Sequence, residues 1–496
     1  MNSASRTTLL MMVLAIASVA VSMYFYPWEE VATTDAEIGQ PLFEEYRAVD
    51  VRGVDILRYN SDRQVLDRLK LVRRGERWVV PSKQDFEASE SSRVAVAVNS
   101  LNDKTIYEVI SENQEDHIKF GVVDPSDSSN SKNVSSLGRK LTLTDRNNKT
   151  IADIIVGSRV KSSPEKRYVR VPGKPRVYVV DFDQLSMAGM MTEFAGWVSP
   201  NLLNMKTRQD DDGRQLRGIE IDSYRIAPDD PTMTKKHTYQ AALVPLNGKL
   251  EVKSLRVPYE EQGKTWKELP TTPKQQRMLS AAVVRLVEIV VDDVVRKEPA
   301  LAAALRDPSS EVDPELFASL ASKGFIKKGL KPSGWEFDSL NGQVRVATTE
   351  GVVSTVSIGP VGNANSAGGG KLNYVLMINS GVDYDFLQEP QRPEGLANDE
   401  SDANKAFLRL VEAWKARVDI ASRVADELNA MHGEWYYLVS DSLVNAMRPD
   451  IPLASLVAED AGAESEGSEP DSADGAEQEA SPEQPAESQD PDEKRE

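Results

Sequence analysis

Residues 178–187 read YVVDFDQLSM, and residues 437–444 read YLVSDSLV, followed by Asn445, Ala446 and Met447. Each stretch opens on a tyrosine, runs through apolar residues and passes into a segment bearing Asp and Ser. One phrase written twice at this distance marks a duplication if other features recur around it in the same order. They do. Residues 52–60 read RGVDILRYN and residues 217–225 read RGIEIDSYR, each an Arg-Gly turn leading into an alternating strand. Next come Trp78 in RWVVP and Trp266 in TWKELP, each followed by a helical stretch. The first, 91–110, carries Val94, Val98, Leu101 and Ile106. The second, 275–296, carries Leu279, Val283, Leu286, Val287, Val290 and Val294 at helical spacing.

A hairpin follows in both places. LTLTDRNNKTIADIIVG, ending at Gly157, is two alternating strands around an Asn-rich turn, and VRVATTEGVVSTVSIG, ending at Gly359, has the same shape with a shorter turn. After each glycine comes a polar loop and another strand, from Tyr168 and from Tyr374. Six features in one order predict two related modules, near residues 40–205 and 210–448. The second has grown by a loop around Pro228–His237, a helical pair over 298–322 and a long helix from about 402 to 431. That helix sets Phe407, Leu410, Val411, Trp414, Val418, Ala421, Val424, Ala425, Leu428 and Met431 on one face. The stripe reads as packing on its own sheet, or as a docking or coiled-coil surface.

The two ends of the chain have other characters. Residues 7–28 hold 22 residues without a charge, enough for a bilayer core about 30 Å thick. Tyr24, Phe25, Tyr26 and Trp28 cluster at the end of this segment, where amphipathic rings favour the headgroup zone. Arg6 before it and Glu29 and Glu30 after it favour a cytoplasmic N-terminus and an exported body. The competing reading is a signal peptide cleaved near Ala15, Ala17 or Ala20, which leaves too short an apolar region and the aromatic cluster unexplained. The expectation is therefore an anchor over 1–30 in the inner membrane, with the bulk of the chain periplasmic. At the other end, residues 459–496 contain 15 acidic and 2 basic residues. The region 458–496 cannot bury enough apolar area to offset its ordering entropy and reads as a disordered acidic tail.

The net charge of −19 over 496 residues falls mostly on that tail; the remainder carries 63 acidic and 57 basic residues. No basic face emerges, so nucleic acid is not an expected partner. With 40% apolar residues the modules can build cores, and with no cysteine the chain has neither disulfides nor thiol chemistry. The fold class expected is α+β: an N-terminal transmembrane helix, two duplicated modules of antiparallel sheet with packed helices, and the acidic tail.

Each possible centre of chemistry in the sequence fits a structural role better. His117, His237 and His432 stand at no metal-ligand spacing. GGGKL at 368–372 fails as a phosphate loop, because Asn365 stands where the first glycine belongs and Leu372 where Ser or Thr belongs. Asp210, Asp211 and Asp212 lack the alternating spacing of a calcium loop. Ser186 and Ser442 lack the Gly-x-Ser-x-Gly elbow. Trp197, in FAGWVSPNLLN, reads as an exposed aromatic turn contacting the next module. No catalytic, cofactor-binding or metal-ligating residue is assigned, and no cofactor is expected.

The order of anchor, strand, Trp78-x-Val80-Pro81 and helix resembles the domain-of-unknown-function 4340 family. Phe120-Gly121-Val122 with Asp124-Pro125, the hairpin closing on Val156-Gly157, Arg167-Tyr168-Val169-Arg170 and Val177-Tyr178-Val179-Val180 complete the likeness over about 50–200. The second module, with Gly324-Phe325 in place of the Phe-Gly phrase, looks like a divergent copy. The resemblance implies a bacterial protein held by one N-terminal helix, acting beside ABC-transport components similar to those of gliding-motility systems. It carries over no catalytic residue. The function expected is a non-enzymatic accessory or binding subunit of an ABC-type transport or envelope complex, with the permease, the ATPase or envelope proteins as partners. The alternatives are a hydrolase or carbohydrate-active enzyme with a site between the modules, and an envelope scaffold.

Overall fold

A computed structural model describes residues 36–127, 134–206, 213–227, 230, 232–246, 249–261, 264–306, 314–331, 334–365, 371–396 and 401–451. The expected anchor, the acidic tail, the triplet Asp210, Asp211 and Asp212, and Gly368, Gly369 and Gly370 lie outside the described residues. Among those described, no helix is long and apolar enough to cross a membrane. The chain falls into two compact units, Met1–Asp450 and Ile451–Glu496, and both sheets below belong to the first.

The first module runs β1 (Gly53–Asn60), β2 (Val65–Arg74), β3 (Arg77–Val80), β4 (Phe86–Glu87), α1 (Ser91–Asn99), β5 (Ile106–Ser111) and α2 (His117–Phe120). It continues with β6 (Arg139–Thr144), β7 (Thr150–Val160), β8 (Ser163–Arg170), β9 (Val177–Asp181) and α3 (Gln184–Ala188). The second runs β10 (Leu216–Arg225), β11 (Lys236–Leu246), β12 (Lys249–Glu261), β13 (Lys264–Glu268), α4 (Pro273–Val287), β14 (Asp293–Arg296), α5 (Pro299–Arg306) and α6 (Pro314–Ala321). The hairpin β15 (Phe325–Lys331) and β16 (Gly334–Ser339) precedes β17 (Gln343–Thr348), β18 (Val352–Asn365), β19 (Lys371–Val382), α7 (Asp402–His432), β20 (Trp435–Ser440) and α8 (Asp441–Met447).

The sheet orders settle the relation between the modules. One sheet is β4-β3-β2-β1-β6-β7-β8-β9-β5, and the other is β13-β12-β11-β10-β17-β18-β19-β20-β14. Strand for strand they are the same, with β15–β16 inserted in the second. Register agrees as well as order. Tyr178 pairs with Val109 on one side and Val169 on the other, and Val169 pairs with Val156. Tyr437 pairs with Val294 and with Leu376, and Leu376 pairs with Ile358. Gly157 and Gly359 are the next residues along, in equivalent seats. At the sheet centre, Val54 pairs with Leu143 and Ile219 with Val346, so Arg52-Gly53 and Arg217-Gly218 are also equivalent.

Three expectations need correction. Trp78 lies on β3, and Trp266 lies on β13, the counterpart of β4, so the two tryptophans are not equivalent. Both long helices are shorter than the periodicity implied. They stop at Asn99 and Val287, and Ile106 and Val294 instead enter β5 and β14, each the edge strand beside the repeated tyrosine. The residues involved are rich in β-branched side chains, which lose rotamer freedom in a helix and pack well on a pleated surface. Trp197 is fully buried, with its indole N–H donating to the Met191 carbonyl at 3.1 Å, so it is core of its own module.

Helix α7 divides the reading of its stripe. Ala421, Ala425 and Leu428 pack with Val352, Val382 and Leu387, and Asn429 clamps the backbone of Ser380 from both sides at 2.9 and 2.8 Å. Leu410 and Met431 instead stay 60% and 57% exposed. The C-terminal half packs on the sheet, and the indole of Trp414 reaches the Leu387 carbonyl at 2.9 Å.

The modules meet where the β4 end of one sheet reaches the β14–β20 end of the other. Phe86 stands edge-on to Trp435 at 4.8 Å and to Tyr437 at 6.3 Å, and Lys83 pairs with Asp293 at 2.7 Å. A partly exposed ion pair contributes about 0–1 kcal/mol, whereas each aromatic pair adds about 0.5–1.5 kcal/mol beyond the area it buries. The rings hold the seam.

In each module the chain leaves its edge strand, crosses the sheet and descends to the centre. It crosses at a glycine. A Cβ on Gly157 would sit on the carbonyl oxygen of Phe120, and one on Gly359 on that of Lys323. Gly157→Ala and Gly359→Ala are each expected to destabilise by about 1–3 kcal/mol, the range for overpacking. Gly329→Ala, where nothing lies within 4 Å of the added carbon, should be close to neutral. Thermal unfolding of the three variants checks this ordering.

Candidate functional site

Along β10–β12 and β17–β19 the alternate side chains separate into two sets. Ile219, Ile221, Leu255, Val344 and Val346 are buried. The other set on these strands is mostly polar and lines a groove. Next to the hairpin β15–β16 lies a cavity of about 220 Å³, lined by Trp335, Glu336, Thr355, Ser357 and Asn379 among others. Over β10–β12 lies one of about 240 Å³, lined by Asp222, Gln240, Ser254 and Arg256. A third, of about 150 Å³, extends toward Arg217 and Asp383. Arg345 lines all three.

Arg345 donates to Glu220 at 2.9 Å, with side chains 41% and 60% exposed. Such a pair contributes at most about 1 kcal/mol, so the guanidinium can exchange Glu220 for an incoming acceptor at little cost. Around it stand uncharged donors and acceptors, Gln343, Thr355, Ser357 and Asn379. This is an arrangement for holding an extended polar ligand by many hydrogen bonds.

His237 and Trp266 come together on the same side of the second module. The His237 ring lies 4.9 Å from Trp266 and 5.4 Å from Tyr224, and its Nδ1 is 3.2 Å from Asp222, which accepts from Gln240 at 3.0 Å. The other two histidines are buried elsewhere. His117 Nε2 donates to the Pro175 carbonyl at 2.7 Å. His432 Nε2 donates to the Leu202 carbonyl at 2.8 Å, so its Nδ1 accepts from the Tyr437 hydroxyl at 2.6 Å. Ser186 and Ser442 both belong to helix starts. Asp183 caps α3 by accepting from the Ser186 N–H, and Ser440 caps α8 and lies 2.9 Å from the Ser442 hydroxyl. Among the described residues no cluster of three His, Asp or Glu is placed to hold a metal ion.

Two features escaped the sequence reading. The groove was legible only as alternating Gln, Arg, Ser and Thr on strands whose other face is apolar. Lys297 gave no signal at all. It is buried, and burial pushes its ammonium down to about 7. A lysine so shifted invites a catalytic reading, but its Nζ donates to the carbonyls of Trp435 at 2.6 Å, Gly433 at 2.9 Å and His432 at 3.5 Å. Its protons are committed to the carbonyls that end α7 and to the first carbonyl of β20. The cavity beside it is about 20 Å³, room for one water.

The equivalent face of the first module is filled. Lys140 pairs with Asp124 at 3.0 Å and Asp153 at 3.7 Å, Thr142 donates to Asp153 at 2.8 Å, and Arg170 donates to the Val122 carbonyl at 2.9 Å. By register Thr142 stands where Arg345 stands, so one copy closes with its own charges what the other leaves open.

These features define a twin-sheet α+β protein with an open polar face on its second copy. Residues 78–307 match the family described as Domain of unknown function (DUF4340). The match starts on β3 and ends after α5, so it crosses the module boundary rather than stopping with the first copy. No curated protein and no solved structure matches the chain.

His432 makes a pH prediction. Burial holds its imidazole down to about 4, against an ordinary value of 6.5. As pH falls through 6.5 the unfolded chain takes up a proton that the folded chain refuses until about 4. The contribution is therefore complete above 6.5 and lost on acidification, by about 3 kcal/mol over the window. Denaturant melts at pH 7 and pH 4.5 should show a smaller acid loss in His432→Gln than in the wild-type chain. Equal losses would mean the histidine is not held neutral.

Proposed function

We propose that this protein is a membrane-anchored extracytoplasmic binding subunit of an ABC-type transport or envelope complex, and that it holds its partner or cargo in the groove around Arg345. One observation carries the binding reading: three adjoining cavities on one sheet face share Arg345, and the hairpin unique to the second module walls one of them. The anchor rests on the 22 uncharged residues over 7–28, and the transport association rests on the family resemblance. A hydrolase site between the modules draws less support, because Phe86, Trp435 and Tyr437 occupy the seam and Asp293 there is engaged by Lys83.

The test is affinity purification of the full-length chain in mild detergent, with mass spectrometry of what accompanies it. Stoichiometric recovery of an ABC permease and ATPase from wild type is the expected result. Arg345→Glu places a second carboxylate beside Glu220 and should reduce that recovery at least tenfold. Arg345 is partly exposed and faces Glu220 across β10 and β17, so the like-charge pair should lower stability by about 0.2–1 kcal/mol and leave the chain folded. Recovery of the protein alone would remove the transport reading, and equal recovery with Arg345→Glu would remove the groove from it.

A further inference from the structure

The first sheet carries a second unusual arrangement, on the side opposite its closed Asp124–Lys140 network. Arg58 on β1 pairs directly across from Arg139 on β6, and Arg159 on β7 pairs directly across from Arg167 on β8. Like charges opposed across antiparallel strands are destabilising. Arg58, Arg139 and Arg167 alternate with the buried residues Ile56, Leu141 and Val169, so they extend the apolar face at its rim. Burial lowers the pKa of Arg139 and Arg58 lowers it further, with Glu193 acting in the opposite direction; burial and then Arg159 and Arg139 lower that of Arg167.

Very little neutralises this group. Arg58 donates to Glu193 at 2.9 Å, and Arg167 donates to the Gly157 carbonyl at 3.0 Å while its Nε is buried with no acceptor. Among the described residues no ion pair or hydrogen bond engages the guanidinium of Arg139. The fold does not require these arginines. Register places Ser223, Gly342 and Tyr374 of the second module at the positions of Arg58, Arg139 and Arg167. There Arg448 fills the rim, donating to the carbonyls of Tyr224 at 3.0 Å and Asn341.

We propose that Arg58, Arg139 and Arg167 form a binding site for a phosphate group on the first module. Three guanidiniums arriving from three strands suit a tetrahedral oxyanion, which accepts on several sides at once. A carboxylate offers one planar edge, and Glu193 already supplies that to Arg58. Free phosphate and the phosphodiester of a lipid headgroup present the same chemistry to this site. The site is separate from the Arg345 groove and does not depend on the function proposed for it.

Calorimetric titration of the full-length protein in uncharged detergent, at fixed ionic strength, separates the sources. The probes are inorganic phosphate and the soluble headgroup glycerophosphoglycerol. Saturable binding of at least one probe is expected, weakened tenfold or more in Arg139→Gln and unchanged in Arg277→Gln, at an exposed position of α4. Preference for phosphate assigns the site to free phosphate or a monoester, and preference for the diester assigns it to a headgroup. In phosphate-free buffer Arg139→Gln should also raise the Tm, because it removes an uncompensated charge beside Arg58 and Arg167. Absence of saturable binding for both probes, wild-type affinity in Arg139→Gln, or a lowered Tm in that variant would each overturn the proposal.

Discussion

Two glycines without side chains set the path of the chain in both modules. At Gly157 and at Gly359 a crossing segment lies on the strand so closely that a Cβ would coincide with a backbone carbonyl. Each crossing turns on a glycine of its own in the left-handed region, Gly121 at φ +69° and Gly324 at φ +78°. That conformation costs an L-residue with a side chain about 1–2 kcal/mol. Each turn is followed or preceded by a phenylalanine that seals the crossing, Phe120 against Tyr168 at 4.7 Å and Phe325 against Tyr436 at 6.0 Å. The crossing lets the chain leave an edge strand and re-enter the sheet centre as β6 or β17. Without the close approach, the nine-stranded order has no connection.

The duplication was legible for a physical reason. Both copies face the same packing problem at the repeated tyrosine, where a strand is flanked on both sides and gives directly onto a capped helix. Tyr178 and Tyr437 are 3% and 1% exposed. A residue held so tightly keeps its identity while its neighbours drift, and hairpins ending on an obligatory glycine do the same. Matching by tryptophan failed because Trp78 and Trp266 lie near the outer edge of each sheet, where fewer neighbours dictate a residue and an extra turn of chain costs little. The edge strands β5 and β14 were concealed within helical periodicity. Apolar spacing over a few residues does not separate a helix from a short strand until the partner strand is known, and that partner, β9 or β20, arrives 66 or more residues later in sequence.

Little of the groove could be read in advance. A groove on a sheet is assembled from single residues on six strands, spread from Glu220 to Asn379, and no two of its key side chains form a local motif. The arginine rim has the same character. Arg58 and Arg139 are 81 residues apart, and only the pairing of β1 with β6 makes them neighbours. Both sites therefore belong to the sheet register rather than to any segment of chain. The histidines illustrate the converse. They were the obvious candidates by residue type, yet His117 and His432 serve as buried hydrogen-bonding cores, and the ordinary structural role accounts for every contact they make.

Comparison of the copies shows how one fold came to present two different faces. In the first module the crossing is short, from Glu112 to Gly138, and its Asp124 reaches Lys140 across the sheet face and closes it. In the second the crossing has been lengthened by α5, α6 and β15–β16, which carry the chain outward before it descends. The indole of Trp335 anchors this excursion to the Ala304 carbonyl at 3.0 Å, and Asn379 ties it to the sheet through the Trp335 carbonyl at 3.2 Å. The lengthened crossing stands beside the sheet as a wall through Trp335 and Glu336, and the position of Thr142 is taken by Arg345. The change needed no alteration of the nine strands. Because both crossings pass over the same glycine seat, the excursion could grow while the sheet beneath it kept its register, and the polar face it uncovered inherited a rigid floor.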